Sequence, residues 1–202
     1  MFVQVIKGKL KDQDRLKAAV ERWEAELAPG AHGWLGTTAG VTEDGTSIAV
    51  IRFESEEAAN QNNERPEQAE WWADAEQAFS GDVTFQNSTF VDVDTPGDPS
   101  DAGFVQVMQG KGTNPERARE LMAQGSEKWA DYRPDILGTL MAGHGDEDFT
   151  VVIYFSSEQE ARAGESKEPP AELKEHMQEM DSLVSGPPTF YDLRKPWLSS
   201  PK

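Results

Sequence analysis

The segment FVQVIKGK at residues 2–9 recurs almost unchanged as FVQVMQGK at residues 104–111, an offset of 102 positions. The same offset, without a gap, places WLGT at residues 34–37 on ILGT at residues 136–139. A match that continues through separate segments indicates a duplication, and so long a period predicts paired domains rather than a solenoid. The predicted organisation is a first repeat at 1–93, a linker at 94–103, a second repeat at 104–195 and a tail at 196–202.

Each copy begins with a strand and a helix. Residues 2–8 form a short β-rich run, and Asp12 is a preferred helix N-cap. Its counterpart Asn114 is followed by Pro115, a residue favoured at the first position of a helix. The apolar residues of the first helix recur with the helical period, at Leu16, Val20, Trp23 and Leu27.

The rest of each copy contains a hairpin, a second helix and a final strand. In the first copy, strands at 34–40 and 47–53 flank Asp44-Gly45, which is a strong hairpin signal. A helical segment interrupted at Arg65-Pro66 follows, and a last strand is expected around 83–93. The order strand, helix, strand, strand, helix, strand is the ferredoxin-like arrangement.

The two helices of a copy each have one apolar stripe, so both are expected on one face of a four-stranded antiparallel sheet. The opposite face is also apolar, because Val3 and Val5 alternate with Phe2 and Ile6 along the first strand. The predicted fold class is therefore α+β. Two ferredoxin-like (βαββαβ) repeats are expected to pack their antiparallel sheets into one intramolecular α+β barrel, with a cavity between the sheets.

Composition excludes several classes of function. The 202 residues contain 19 Lys and Arg against 37 Asp and Glu, a formal net charge of −18 that repels nucleic acids and anionic membrane surfaces. There is no Cys, so disulfides, thiolate nucleophiles and cysteine metal sites are excluded. Because no apolar run suggests a signal peptide or a membrane span, a cytoplasmic protein is expected.

Several segments resemble one known family. Pro29-Gly30 leads into Gly33-Trp34-Leu35-Gly36, and the third strand ends in the run RFESEEA at residues 52–58. With the element order and the polar residue at the centre of the first strand, these segments resemble the antibiotic-biosynthesis monooxygenase group of the dimeric α+β barrel superfamily. The resemblance covers both halves of the chain, which looks like a fused pseudo-dimer.

Members of this family are of three kinds, and the resemblance implies that this chain is one of them: cofactor-independent oxygenases of aromatic polyketides, haem degraders, or proteins without known activity. In the haem degraders an Asn, a Trp and a haem-ligating His carry the reaction. The Asn position falls on Gln4 and Gln106, and the Trp position falls near Asn62 and Gly164. The His position falls at or near Trp71 in the first copy and between Leu173 and His176 in the second.

The candidate ligand-binding residues are Gln4, Gln106, Trp34, Trp71 and Trp72. A Gln in an apolar strand either bonds a neighbouring group or a buried water, or lines a cavity and orients a ligand. Because Trp71 and Trp72 are adjacent on a helix, one is expected in the core and the other at an edge, where it forms a ligand wall or a subunit contact.

Of the three His residues, only His176 lies on an element that carries candidate site residues, so it is the sole candidate general base. The alternative interpretation of His176 is a half-buried His with a structural role. His144 is expected in a solvated turn. No spacing typical of metal ligands occurs, so no metal site is predicted.

The leading hypothesis is a protein that binds a small apolar or aromatic molecule between its two sheets, with cofactor-independent monooxygenation as a possible activity. One alternative is a non-enzymatic, ligand-binding or stress-related α/β-barrel module without a cofactor. Another is haem binding through His176. The expected assembly is a monomeric pseudo-dimer or a further homodimer, without nucleic acid or membrane partners.

Overall fold

A computed structural model describes residues 1–145 and 147–201, apart from the side chains of residues 125–128. The chain divides into two compact units. Unit 1 comprises Met1–Thr89 together with the segment that starts at Lys195, and unit 2 comprises Phe90–Arg194. Among the described helices, none is both long and apolar enough to cross a membrane.

Unit 1 contains a five-stranded antiparallel sheet with the strand order β10-β2-β3-β1-β4. Its strands are β1 (Phe2–Lys9), β2 (Trp34–Val41), β3 (Thr46–Phe53), β4 (Thr84–Ser88) and β10 (Trp197–Ser199). Its α-helices are α1 (Gln13–Arg22), α2 (Glu56–Asn63) and α3 (Pro66–Ala75). A π-helical turn, Trp23–Leu27, continues α1, and the Ala28 N–H donates to the carbonyl of Trp23 five residues earlier.

Unit 2 contains a second five-stranded antiparallel sheet, with the order β5-β7-β8-β6-β9. Its strands are β5 (Phe90–Asp94), β6 (Phe104–Gly112), β7 (Ile136–His144), β8 (Asp148–Phe155) and β9 (Val184–Leu193). Its helices are α4 (Pro115–Tyr132), α5 (Glu158–Glu165) and α6 (Ala171–Ser182). The two sheets with their helices confirm the predicted pair of ferredoxin-like units, and each sheet has one strand more than predicted.

The predicted helix starts are confirmed by their capping bonds. The Asp12 side chain accepts a hydrogen bond from the Arg15 backbone N–H at 2.9 Å. In unit 2, Asn114 accepts from the Arg117 N–H at 3.1 Å, with Pro115 at the first helical position. Each bond satisfies one of the N–H groups that a helix start leaves without an internal partner.

Alternation along the strands separates the two faces of each sheet. In unit 1, Val3, Val5 and Ile48 point away from the helices and are 0–1% exposed. Gln4 and Ile6 point towards the helices and line a cavity there. Alternation with a period of two produces this division, so the duplicated FVQV segment places its glutamine on the helix-covered face.

A β-bulge interrupts β2 between Trp34 and Gly36. Gly36 has φ = 140°, a backbone angle that residues with a Cβ rarely adopt. A Cβ at this position would lie 2.7 Å from the Ser199 carbonyl oxygen. The bulge shifts the alternation by one residue, so Trp34 and Thr37 share a face. The Trp34 Nε1–H donates to the Thr37 Oγ1 at 3.1 Å.

The final strands differ most from the sequence-based expectation. Where one strand was predicted around 83–93, the structure has β4, which pairs with β1, and β5, which pairs with β7 of unit 2. The segment predicted as a tail contains β10, which pairs with β2 of unit 1. Each unit is therefore completed by a strand that lies outside its own repeat, and the boundaries of the units do not follow those of the duplication.

Candidate ligand-binding site

Unit 1 contains a cavity of about 110 Å³ between its sheet and its helices. Residues of β1, β2, β3 and β10 line one side, and residues of α1, the π-helical turn, α2 and α3 line the other. The sequence predicted a cavity between the two sheets, whereas this cavity lies on the helix-covered face of a single sheet. The cavity is therefore formed by the residues of one unit.

Four of the six tryptophans of the chain line this cavity: Trp23, Trp71, Trp72 and Trp197. The ring centroids of Trp23 and Trp71 are 6.5 Å apart, and those of Trp71 and Trp72 are 6.0 Å apart. Centroid separations of this size are typical of interacting aromatic pairs. The rings of Trp23, Trp71 and Trp72 therefore form a connected aromatic wall, and Trp197 lines the cavity from β10.

Hydrogen bonds fix two of these rings in place. The Trp71 Nε1–H donates to the Ala19 carbonyl at 2.7 Å, and the Trp23 Nε1–H donates to the Gln68 Oε1 at 2.7 Å. Both Trp71 and Trp72 line the cavity, and Trp72 also packs edge-on against Phe85 at 5.3 Å. Adjacent positions on α3 can both reach the cavity because it extends across more than one face of this short helix.

Gln4 is the amide at the sheet side of the cavity. It lies half-buried on β1, and its Nε2 donates to the Oδ1 of Asn87 at 3.1 Å. Asn87 is the residue directly opposite on β4, so the bond is a cross-strand pair on one face of the sheet. The pair orients a polar group towards an otherwise largely apolar space.

Asn62 and Glu24 add polar groups on the helix side. Asn62 is buried, and its Oδ1 accepts from the Arg65 Nη1 at 3.0 Å. Arg65 also forms an ion pair with Glu67 at 3.0 Å. Hydrogen bonding by its own backbone N–H and by Arg65 holds the pKa of Glu67 below its usual value, so this pair remains charged at neutral pH.

Trp34, predicted as a wall of the site, does not line the cavity. It is 6% exposed and packs edge-on against Trp23, with ring centroids 5.0 Å apart. Its position is therefore behind Trp23, where it supports the wall from the core.

Gln106 repeats the arrangement of Gln4 but is not among the lining residues of the unit 2 cavity described below. It is 8% exposed, and its Nε2 donates to the Oδ1 of Asp192 at 2.8 Å. Asp192 also accepts from Arg162, whose guanidinium lies 5.2 Å above the Phe104 ring. Arg162 replaces Asn60 of the first repeat. The ion pair and the ring contact place the charged Arg162 next to Asp192. In unit 1 the partner of Gln4 is instead the neutral Asn87.

His176 lies half-buried on α6 and lines neither this cavity nor the cavity of unit 2 described below. A hydrogen bond from Arg117, and to a smaller extent the charge of His176, lower the pKa of the neighbouring Glu179. The role of His176 as a base stays a prediction.

The prediction that His144 lies in a solvated turn is wrong. His144 is 7% exposed at the end of β7, and its Nε2 forms a hydrogen bond with the Thr150 Oγ1 at 2.9 Å.

The sequence did not identify Trp23, Trp197, Asn62 or Glu24 as cavity residues. Trp23 follows the apolar period of its helix, which does not distinguish a core residue from one beside a cavity. No sequence pattern marked Trp197 as a cavity residue, because its position depends on β10 pairing with β2 of the first sheet.

Metal-ligating side chains are not clustered in the part of the chain that the structure describes. Among residues 1–145 and 147–201, no group of three or more His, Asp or Glu side chains is arranged to hold a metal ion. Within the same part of the chain, no His lines either cavity, and haem binding through His176 stays a prediction.

The fold is shared with solved structures of low sequence identity. A protein of Fusobacterium nucleatum described as a "putative monooxygenase" has a TM-score of 0.75 at 14% identity, over 98% of this chain and 94% of its own. A protein of the same description from Lactobacillus acidophilus has a TM-score of 0.69 at 11% identity, over 98% and 99%. An anthrone oxidase-like protein has a TM-score of 0.65 at 13% identity, over 98% and 92%.

No protein-family model and no curated protein matches the sequence. The structural matches show that this chain shares the fold of these three proteins, in keeping with the predicted pair of ferredoxin-like units.

Proposed function

We propose that unit 1 binds a small, uncharged aromatic molecule with a hydroxyl or carbonyl group in the tryptophan-lined cavity. The observation that carries this proposal is the convergence of four indole rings on a cavity that also has the oriented amide of Gln4 on its sheet side. A cavity on the order of 150 Å³ binds benzene in another protein, so about 110 Å³ suits one small ring better than a large ring system.

The chemistry of the walls favours this ligand class. Indole rings offer both faces and edges to an aromatic guest, and such pairs contribute roughly 0.5–1.5 kcal/mol beyond area burial. The carboxylate of Glu24 and the net charge of −18 disfavour an anion. A few placed polar groups in an apolar pocket orient a ligand, and Gln4 and Asn62 are suited to that role.

The indole N–H resonances test the proposal directly. In a titration of ¹⁵N-labelled protein with phenol, we expect saturable shifts of the Trp23, Trp71, Trp72 and Trp197 resonances. Trp129 of unit 2 serves as the internal reference, because it does not line the cavity. Shifts that fail to saturate, or that affect Trp129 equally, would show non-specific association and contradict the proposal.

The two repeats provide a matched pair of variants. Gln4→Ala removes the amide beside the cavity, and we expect about tenfold weaker phenol binding, equivalent to about 1.4 kcal/mol. Gln106→Ala removes the corresponding amide of unit 2 and should leave phenol binding unchanged. Isothermal titration calorimetry measures both affinities, and an equal loss in the two variants would refute the role of Gln4.

A second candidate function is oxygenation of an aromatic hydroxyl compound in the same cavity. The descriptions of the structural neighbours as monooxygenases and an anthrone oxidase-like protein favour it. Gln4 would donate a hydrogen bond to the substrate oxygen, since an amide can stabilise a developing negative charge but cannot remove a proton. Glu24 lines the cavity and is a candidate base, beside His176 as predicted from the sequence.

Oxygen consumption with hydroquinone, a single-ring hydroxyl compound that suits the cavity volume, separates the two candidates. If the chain is an oxygenase, dioxygen is consumed faster than in buffer alone. Glu24→Gln and His176→Ala then show which group acts as the base, because only the loss of that group lowers the rate strongly. A rate equal to that of buffer leaves ligand binding without catalysis, which is the non-enzymatic alternative.

A further inference from the structure

Unit 2 has a cavity of its own, with different walls. Its volume is about 190 Å³, and it lies between the sheet and the helices α4 and α6. Four of the six methionines of the chain line it: Met108 on β6, Met122 on α4, Met141 on β7 and Met180 on α6. No tryptophan is among its described lining residues.

The duplication shows how this lining differs from that of unit 1. At the offset of 102, Met108, Met122 and Met141 replace Ile6, Val20 and Ala39, which line the cavity of unit 1. Thioether side chains therefore occupy three positions of unit 2 where unit 1 has branched or small side chains. Met has three rotatable side-chain bonds and a polarisable sulfur, so a wall of Met side chains adapts to the shape of its guest.

Carboxylates surround the same cavity. Glu116, Glu147 and Asp148 are exposed and are among its lining residues. Lys111 lies 3.6 Å from Glu147 and 3.4 Å from Asp148, so one cation faces two of the three carboxylates. The remaining negative charge disfavours an anionic ligand such as a fatty acid carboxylate.

We infer that unit 2 is a second binding site, and that it takes a neutral, flexible aliphatic molecule of medium chain length. The apolar, adaptable wall accepts an alkyl chain that has no preferred shape, and the carboxylates exclude the corresponding acid. This site is independent of the one proposed for unit 1, where rigid indole rings select a planar guest.

Methyl resonances of methionine test the second site. In protein with ¹³C-labelled methionine methyl groups, 1-octanol should shift the resonances of Met108, Met122, Met141 and Met180 in a saturable manner. Met177 lies on α6 three residues before Met180 without lining the cavity, so its resonance should remain in place. Equal shifts of all methionines, or no shift of the four, would overturn the inference, and neither result depends on a variant that must fold.

Two further comparisons address selectivity. Octanoate should bind at least tenfold more weakly than 1-octanol at neutral pH, and equal affinities would overturn the role assigned to the carboxylates. Ala118→Leu, on the cavity side of α4, should weaken 1-octanol binding at least tenfold by filling the space, whereas Met177→Leu should not. Unchanged binding in Ala118→Leu would place the alkyl chain outside this cavity.

The readouts of the two sites are separate. Phenol is expected to move the indole resonances of unit 1, and 1-octanol is expected to move the methionine methyl resonances of unit 2. A failure of one titration therefore leaves the other proposal intact.

Discussion

Single residues account for much of the difference between the two units. Gln4 and Gln106 occupy the same place in their strands, and each donates to the side chain directly opposite. The partner of Gln4 is the neutral Asn87, but the partner of Gln106 is Asp192, whose charge is neutralised by Arg162. The recurrence of Gln in an apolar strand indicated a side chain that needs a hydrogen-bond partner, and each Gln has one. It could not predict the partner, which comes from a strand far along the chain.

Asp44 in the first hairpin provides a prediction at this scale. Hydrogen bonds from Lys9, at 2.7 Å, and from Thr42 hold its pKa well below its usual value of 3.8. Because the folded-state pKa is the lower one, the stabilisation is present above pH 3.8 and is lost as the pH falls towards the folded-state value. Asp44→Asn should lower the free energy of unfolding at neutral pH, by less than about 1 kcal/mol at this exposed site.

Urea unfolding of the wild type and of Asp44→Asn measures this effect. The difference between them should shrink as the pH is lowered from about 5 to about 2. Asp82→Asn makes the same chemical change at an exposed position of unit 1 and serves as the control. A difference that stays constant with pH would show that the charge of Asp44 is not the cause.

At the scale of elements, the turn after the first helix and the last strand each contribute a tryptophan to the wall of the unit 1 cavity. Trp23 and Glu24 reach the cavity from the π-helical turn after α1, whereas α4 is a continuous α-helix. Inserted π-helical turns widen a helix locally and are frequent at functional sites. Helical periodicity predicted the helix but not the turn, because the apolar spacing of four, three and four residues fits both.

Trp197 on β10 is the contribution of the last strand. It is half-buried, and Trp197→Ala should lower the free energy of unfolding by about 1–3 kcal/mol, less than for a fully buried Trp. It should also weaken phenol binding, because one of the four aromatic walls is lost. Thermal unfolding and calorimetric titration measure the two effects.

Leu198 provides the matched control for this strand. It is half-buried beside Trp197 but does not line the cavity, since neighbouring residues of a strand point to opposite faces. Leu198→Ala should therefore reduce stability while leaving the affinity for phenol unchanged. If both variants lost affinity equally, the strand would act through folding alone.

At the scale of the whole chain, the duplication predicted two units, their element order and their helix caps. It did not predict the exchange of final strands. The sequence match of TFVD at residues 89–92 with TFYD at residues 189–192 suggested equivalent strands, yet Phe90 pairs with β7 while Phe190 pairs with β6. Short strands with similar letters carry no information about which sheet edge they join, since that choice depends on the connections.

Separation of the halves tests the exchange. A fragment of residues 1–97 lacks β10, and the complementary fragment 98–202 lacks β5, so each leaves an unpaired edge in its sheet. We expect each fragment alone to unfold at a lower temperature than the intact chain, and mixing should restore a stable complex. Circular dichroism and size-exclusion chromatography measure this. Two fragments that fold alone with the stability of the intact chain would refute the dependence.

The return of β10 to the first sheet imposes an order on biosynthesis. A ribosome must translate all of Phe90–Arg194 before the strand that carries Trp197 emerges. Until then, the sheet of unit 1 lacks β10 and the cavity lacks one of its four tryptophans. A prematurely terminated chain would lack that tryptophan, however well the rest had folded. Occupancy of the cavity would then report that translation had passed Trp197.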